Sequence, residues 1–132
     1  MMIDIDKFKM VNDEFGHQTG DSVLKDMSQL IRRTIREVDT PARWGGEEFI
    51  VLCSQTRKED AYHGAKRIMN AISDHEFKGV TGRDITVSVG IAGIPDGSIN
   101  TSEKMIHDAD LAMYDAKSQG RNRIVIAGQD IP

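Results

Sequence analysis

Two adjacent glycines and two adjacent glutamates, Gly45-Gly46-Glu47-Glu48, separate two short segments with strand character. A Gly-Gly pair between such segments is a strong hairpin signal, because two-residue primed turns need the positive φ angles that glycine adopts easily. The sequence therefore predicts a β-hairpin with strands at about 42–44 and 47–53 and with carboxylates at its tip. Taken alone, this motif is better explained as a solvated turn with acidic side chains.

Hydrophobic periodicity predicts the other elements of the fold. The predicted strands and helices are, in order, a strand at 1–5, a short helix or turn at 7–16, a helix from about 20 that ends at Asp39-Thr40-Pro41, a helix at 58–74, a strand at 84–94, a helix at 102–118 and a strand at 123–126. The apolar run 49–52 predicts a central strand covered on both faces, and Gly120 is expected to cap the preceding helix. This order predicts a single α/β (α+β) domain with helices packed against a central sheet.

The overall composition excludes several classes of protein. A net charge of −4 over 132 residues argues against a bulk nucleic-acid binder. No apolar run has the length of a membrane span, and the N-terminus does not resemble a signal peptide. The single cysteine, Cys53, cannot form an internal disulfide, and its apolar surroundings predict a buried structural thiol in a reducing, cytoplasmic environment.

A second acidic pair, Asp4 and Asp6, lies at the end of the first predicted strand. Strand alternation directs both carboxylates to the face opposite Ile3 and Ile5. An acid within an apolar strand is costly unless it is paired or binds a metal. If the hairpin lies beside this strand, we expect Asp4 to share an ion with Glu47 or Glu48, but not easily with both. Oxygen ligands completed by water and phosphate suit Mg²⁺, whereas no Cys/His spacing suggests zinc.

Polar residues from Phe8 to Asp21 form another unusual concentration. Backbone amides in a turn after the acidic strand are suited to phosphates, and Asn12 and Asp21 offer groups that can read a base edge. Equally, Asn12 can cap a turn and Asp21 can favour a helix N-terminus. Lys117 and Arg121, near the end of the last helix, either complement its dipole or bind a triphosphate.

Taken together, these residues resemble the GGDEF-domain family of diguanylate cyclases, bacterial enzymes that make cyclic di-GMP from two GTP. The motifs that match are Gly45-Gly46-Glu47-Glu48-Phe49, Asp4-Ile5-Asp6-Lys7-Phe8-Lys9, Asn12-Asp13, Phe15-Gly16-His17, Gly20-Asp21, Ala116-Lys117 and Gly120-Arg121-Asn122. They occur in the family's order and span nearly the whole chain.

The resemblance implies a palm-like nucleotidyl cyclase fold with a mainly antiparallel sheet, and a homodimer in which two GTP molecules meet. It assigns one or two Mg²⁺ ions, with Mn²⁺ as an alternative, to Asp4, the Ile5 carbonyl and Glu47. Glu48 would assist at the metal or activate the attacking 3′-hydroxyl. The implied GTP-binding residues are the amides around Phe8 and Lys9, guanine-reading Asn12 and Asp21, turn residues Gly45 and Gly46, and phosphate-binding Lys117 and Arg121. No nucleic-acid or membrane contact is implied for this domain.

The segment Arg36-Glu37-Val38-Asp39 resembles the family's RxxD inhibitory site, where the cyclic di-GMP product binds away from the active site. Arg67 resembles the second arginine of that site. An RxxD motif without this context is better explained as an exposed, salt-bridged helix end. Its position just upstream of the glycine-rich signature favours product feedback.

Members of this family normally carry a helical segment with Leu-Thr-Gly-Leu and Asn-Arg patterns before the first strand. Residues 1–132 are therefore expected to be the catalytic domain without that segment, and regions outside it are expected to supply regulation or a membrane anchor. The chief alternative function is a non-catalytic cyclic di-GMP receptor that uses the RxxD site. A third is synthesis of a mixed purine dinucleotide, against which Asp21 argues because it occupies the guanine-reading position.

Overall fold

A five-stranded sheet with helices on both faces organises the chain. The computed structural model describes residues 1–94 and 101–129. The elements in chain order are β1 (Met2–Ile5), α1 (Phe8–Phe15), α2 (His17–Thr34), β2 (Thr40–Arg43), β3 (Glu48–Leu52), α3 (Lys58–Asp74), β4 (Val87–Ile91), α4 (Ser102–Ser118) and β5 (Arg123–Ile126). The strand order is β2-β3-β1-β4-β5, and only the β4–β5 pair is parallel. The predicted fold class is confirmed.

The two faces of the sheet are covered by different helices. Ile3 and Ile5 of β1 belong to the main core, together with apolar residues of α2 and α3. Met2 points to the opposite face, where it packs against Ala109 and Met113 of α4. Because strand side chains alternate between faces, Asp4 shares the α4 face with Met2.

Helix α2 differs from its prediction at both ends. It begins at His17, and it ends at Thr34 rather than continuing to the residues before Pro41. Ile35 is already extended, and the backbone N–H of Arg36 donates to the Asp39 carboxylate at 3.1 Å. An Asp side chain that captures a nearby backbone N–H competes with the helical pattern, which explains the early end.

The tip of the hairpin is not a two-residue primed turn. Four residues separate β2 from β3, and neither Gly45 nor Gly46 is among the positive-φ residues of the described chain. The Arg43 guanidinium donates to the carbonyls of Gly45 at 3.2 Å and Gly46 at 2.6 Å. Longer hairpin loops do not require positive φ, so the prediction of the hairpin is confirmed and that of its turn geometry is wrong.

Strand β3 is not covered on both faces, contrary to its apolar sequence. Phe49 and Val51 are buried in the main core, but Leu52 on the opposite face is 53% exposed. Strand β3 also lies next to the edge strand β2 rather than in the middle of the sheet. Helix α4 contacts β1, β4 and β5, and its cover does not extend over the end of β3.

Strand β4 is shorter than predicted, and its small residues have a packing role. Ser88 and Gly90 are buried because α4 lies directly on them. A Cβ atom at Gly90 would lie 2.0 Å from the carbonyl oxygen of Ala109 and 2.3 Å from the backbone nitrogen of Met113. Glycine at this position therefore lets the backbone of α4 approach the sheet closely.

Gly120 ends α4 as expected. It lies just beyond the last helical turn with φ of 115°, and its N–H donates to the Lys117 carbonyl at 3.3 Å. The N–H of Arg121 donates to the Ala116 carbonyl at 3.0 Å. This pair of bonds is the Schellman motif, in which glycine is favoured because its φ is positive.

Two predictions about the chain's environment can be compared with the fold. None of the helices in the described residues is both long enough and apolar enough to span a bilayer.

Cys53 is partly buried rather than fully buried, and this partial burial raises the pKa of its thiol. A raised pKa keeps the thiol protonated and unreactive, which agrees with the structural role expected for it.

We expect Gly90→Ala to destabilise the fold by about 1–3 kcal/mol, because α4 must move away from β4 to admit the methyl group. The matched control is Gly64→Ala in α3, where a Cβ would meet no atom closer than 3.7 Å. Alanine is the better helix former, so this control should gain roughly 0.5–1 kcal/mol. Urea unfolding of both variants measures the difference, and equal stabilities would contradict the close packing of α4.

Candidate active site

The pairing of β1 with β3 brings the two acidic motifs together. Asp4 is the cross-strand partner of Glu48, and the N–H of Ile5 donates to the Glu47 carbonyl at 3.2 Å. Directly opposed residues in an antiparallel pair have side chains on the same face. The Glu48 and Asp4 carboxylates therefore share the face that α4 covers.

The negative charge of Asp4 acts on both glutamates and not on one alone. Burial raises the pKa of Glu47, and the negative charge of Asp4 raises it further. Burial also raises the pKa of Glu48, with added contributions from Asp4 and Asp110, while Lys117 opposes the shift in both glutamates. Strand alternation predicted that one glutamate would point away, but Glu47 precedes β3 and is not bound by that alternation.

Helix α4 brings a cation to the acids. Lys117 Nζ lies 2.9 Å from Asp4 Oδ2, and Asp4 is only 3% exposed. The other oxygen, Asp4 Oδ1, is buried without a hydrogen-bond partner among the described residues. A buried carboxylate oxygen with no partner is costly, and it is suited to an additional positive ligand.

This donor set fits a hard divalent cation. Carboxylate and carbonyl oxygens are the ligands that Mg²⁺ prefers, and Mg²⁺ usually keeps several waters or substrate oxygens. Within residues 1–94 and 101–129, no three His, Cys, Asp or Glu side chains converge tightly enough to hold a metal by themselves. Asp4 Oδ1, which has no hydrogen-bond partner in the described part of the chain, fits an ion whose shell is completed by other oxygens.

Asn12 and Asp21 lie on two helices that pack together. A Cβ at Gly20 would lie 1.8 Å from Asn12 Oδ1, so the Asn12 side chain rests against α2 one residue before Asp21. Asp21 lines an open cavity of about 410 Å³ with Leu24 and Phe49 among its walls. Phe8 and Lys9 begin α1, where the first backbone N–H groups have no partner within the helix.

The capping alternatives for Asn12 and Asp21 are not found. Lys7 and Gly16 occupy the N-cap positions of α1 and α2, and neither makes a side-chain capping bond. Asn12 lies inside α1, and no acidic residue occupies the first turn of α2. A helix dipole acts mainly within that first turn, so Asp21 contributes little to it.

Arg121 is less closely tied to the acids than Lys117. It is exposed, with φ of 66°, in the turn between α4 and β5. Its carbonyl accepts a bond from Arg123 Nε at 3.0 Å, and in the described part of the chain its side chain forms no ion pair. The guanidinium therefore remains available to a ligand.

The three residues of the predicted inhibitory site surround one cavity of about 200 Å³. Arg36 Nη2 lies 2.9 Å from Asp39 Oδ1 and 3.0 Å from the Ser54 carbonyl, and it also donates to the Thr56 hydroxyl. Arg67 of α3 lines the same cavity. The Arg36 guanidinium holds the pKa of Asp39 below its usual value.

The sequence predicted no specific role for Arg43 or Asp6, but both contact groups at the site. Arg43 braces the glycine turn and lines the cavity beside Asp21. Asp6 is buried and accepts hydrogen bonds from Thr86, Ser88 and Asn122. The sequence offered one signal for a role of Asp6, namely the free-energy cost of burying a carboxylate at the end of an apolar strand. The hydrogen-bond partners of Asp6 could not be read from the sequence, because they are more than 75 residues away.

Comparison with known proteins identifies the same family that the motifs resemble. The family model described as "Diguanylate cyclase, GGDEF domain" matches residues 1–123. The chain is 39% identical over 128 residues to the response regulator PleD of Caulobacter vibrioides, covering 95% of this chain but only 28% of that protein.

Solved structures agree with the sequence comparison. The active GGEEF domain of a diguanylate cyclase from Vibrio cholerae matches with a TM-score of 0.88 and 36% identity, over 98% of this chain and 81% of that one. The GGDEF domain of DgcB from Caulobacter crescentus, in complex with c-di-GMP, matches with a TM-score of 0.87 and 32% identity, over 97% of this chain and 76% of that one.

The Arg36–Asp39 pair predicts a pH-dependent stability. Because Arg36 lowers the folded-state pKa of Asp39 below an ordinary value of about 3.9, the pair stabilises the fold above that pH. The contribution is lost as the pH falls through the lower folded-state pKa. Asp39→Asn should therefore unfold more easily than the wild type at neutral pH, and the difference should shrink in acid.

Urea unfolding of both proteins across an acidic pH series measures this difference. The matched control is Asp60→Asn, since Asp60 pairs with Arg57 at the same sequence spacing but both side chains are more than half exposed. Exposed pairs contribute little, so this variant should match the wild type at every pH. A destabilisation of Asp39→Asn that does not change with pH would contradict the ion-pair interpretation.

Proposed function

The chain belongs to the GGDEF family of diguanylate cyclases, and we propose that it is the catalytic domain that condenses two GTP molecules into cyclic di-GMP with release of pyrophosphate. The observation that supports this most is the buried Asp4 Oδ1, which has no hydrogen-bond partner among the described residues and lies beside Glu47, Glu48 and Lys117. Such a cluster costs stability unless it binds a cation and phosphates. The matched region is only 28% of PleD's length.

The acidic cluster is suited to a metal-assisted phosphoryl transfer. Mg²⁺ or Mn²⁺, held by Asp4, the Ile5 carbonyl and Glu47, would supply charge neutralisation and a lowered pKa for the attacking hydroxyl. Glu48, whose own pKa is raised, assists at the metal or accepts the proton of the 3′-hydroxyl. Lys117 balances the acids and contacts the phosphates.

The nucleotide occupies the surface between α1, α2 and the hairpin. Asn12 and Asp21 recognise guanine, which favours GTP over ATP, and the first amides of α1 at Phe8 and Lys9 hold the phosphates. Gly46 leaves open space beside the turn, since a Cβ there would meet nothing within 4 Å. Arg121 adds a second cation to Lys117.

The reaction requires two copies of the domain. The 3′-oxygen of one GTP attacks the α-phosphorus of the other, a phosphodiester bond forms, the bond to the β-phosphate breaks and pyrophosphate leaves. The same transfer in the opposite direction closes the ring. Because one acidic cluster serves one GTP, two chains must face each other as an antiparallel homodimer, and a monomer should be nearly inactive.

Glu47→Gln keeps the size of the side chain but removes its charge, and we expect it to lower cyclic di-GMP formation at least ~100-fold, as loss of a metal-held charge in the transition state implies. The full-length protein is incubated with GTP and Mg²⁺ and the product is identified by mass spectrometry. Glu76→Gln, at an exposed position outside the cluster, is the control and should retain activity. Activity that survives Glu47→Gln would refute the assignment of this ligand.

The same assay separates the alternative functions. Binding of cyclic di-GMP without turnover of GTP in the wild type would favour the receptor alternative. A product that contains adenosine when ATP and GTP are both supplied would favour a mixed dinucleotide. Formation of cyclic di-GMP alone supports the proposal.

Product inhibition at the RxxD cavity is the second part of the proposal. Arg36 and Arg67 line one cavity, and their guanidinium groups suit phosphates and guanine edges. Asp39 is held in place by Arg36 and offers an acceptor to guanine. The bound c-di-GMP in the similar DgcB domain is consistent with product binding in this family.

We expect Arg36→Ala to raise the cyclic di-GMP concentration needed for half-inhibition by roughly 10-fold or more, since charge-assisted hydrogen bonds to phosphate are lost. Inhibition curves are recorded with initial rates at fixed GTP. Arg83→Ala removes an arginine whose ion pair with Glu14 lies outside this cavity, and it should leave the curve unchanged. An unaltered curve for Arg36→Ala would remove the feedback proposal.

A further inference from the structure

Asp6 is a buried carboxylate that has no part in the proposed reaction. It follows β1 directly, two residues after Asp4, and is only 7% exposed. Within the described residues it forms no ion pair. A buried charge without a cation is costly unless several donors hold it, so its partners indicate what it is for.

Three donors from two regions of the chain hold this carboxylate. The Thr86 hydroxyl donates to Oδ2 at 2.7 Å, and the Ser88 hydroxyl donates to Oδ1 at 2.6 Å. The backbone N–H of Asn122 also donates to Oδ2, at 3.0 Å. Asp6 thus connects the end of β1 both to β4 and to the turn between α4 and β5.

That turn has an unusual backbone. Gly120, Arg121 and Asn122 have consecutive φ angles of 115°, 66° and 48°. Residues other than glycine rarely adopt this region, and surrounding contacts must hold them there. The Schellman bonds hold Gly120 and Arg121, and the bond from Asn122 to Asp6 holds the third residue.

Asp4 in β1 and Asp6 directly after β1 therefore fix the end of α4 at two points. Asp4 contacts the side chain of Lys117 at 2.9 Å, and Asp6 holds the backbone of Asn122. Arg121 lies between these two points. We propose that Asp6 is a positioning residue that fixes the α4–β5 turn, so that Arg121 and Lys117 are set against the phosphates of a nucleotide bound beside Asp4. This inference rests on the proposed GTP site.

Two substitutions at Asp6 distinguish the loss of its hydrogen bonds from the loss of its charge. Asp6→Ala removes every acceptor, and we expect the KM for GTP to rise roughly tenfold while kcat falls less, because ground-state binding of the phosphates is lost. Asp6→Asn keeps an oxygen for the N–H of Asn122, and the Ser88 hydroxyl can accept from the new amide. This variant should stay within about twofold of the wild-type KM, because the same turn is held.

Ser88→Ala is the control for a merely structural role. It removes one bond to the same carboxylate and leaves the bond from Asn122. We expect it to lower the midpoint of urea unfolding without raising KM. The positioning role is overturned if the KM for GTP rises in proportion to the loss of stability in Ser88→Ala as it does in Asp6→Ala. It is also overturned if Asp6→Asn raises the KM as much as Asp6→Ala does.

Hydrogen exchange of the Asn122 amide in the full-length protein gives a readout that does not depend on activity. The amide should be protected in the wild type and in Asp6→Asn, and it should exchange roughly tenfold faster or more in Asp6→Ala, since its acceptor is gone. Equal exchange in all three proteins would overturn the proposal. A wild type that forms no product from GTP but shows this exchange pattern contradicts the proposed function and not the fixing of the turn.

Discussion

The antiparallel pairing of β1 with β3 is the interaction on which the rest of the site depends. It places Asp4 directly opposite Glu48 and bonds Ile5 to the carbonyl of Glu47, so that acids 43 and 44 residues apart in sequence share one end of the sheet. A shift of one residue in this register would move Asp4 to the other face. The buried residues Ile3, Ile5, Phe49 and Val51 oppose such a shift, because it would expose the main core.

Close packing of α4 adds the cation that this acidic cluster needs. Gly90 and Ser88 present little bulk to the helix, and α4 therefore lies near enough to the sheet for Lys117 to reach Asp4. The helix then ends in a turn of left-handed residues, which Asp6 holds from its position directly after β1. A substitution that adds bulk under α4, such as Gly90→Ala, is thus expected to disturb the site although it touches no site residue.

A second constraint, at the end of α2, shapes the proposed inhibitory cavity. The Asp39 side chain ends α2 early by binding the backbone and guanidinium of Arg36. This turn directs Arg36 towards Ser54 and Thr56 beyond β3, and towards the cavity that Arg67 lines. The same contacts that shorten the helix therefore assemble the proposed product site.

The sequence by itself determined the order and type of the elements, the acids of the site and the family, because periodicity and motif spacing are local properties. It predicted wrongly the glycine turn, the end of α2 and the burial of β3. Each of these depends on a contact that spacing does not encode: Arg43 with the turn carbonyls, Asp39 with Arg36, and the limited reach of α4 over Leu52. Only the tertiary structure decided that both glutamates lie near Asp4, that Asp4 Oδ1 has no partner among the described residues, and that Asp6 holds the turn after α4. The physical reason is that cross-strand register and helix packing join residues from distant parts of the chain.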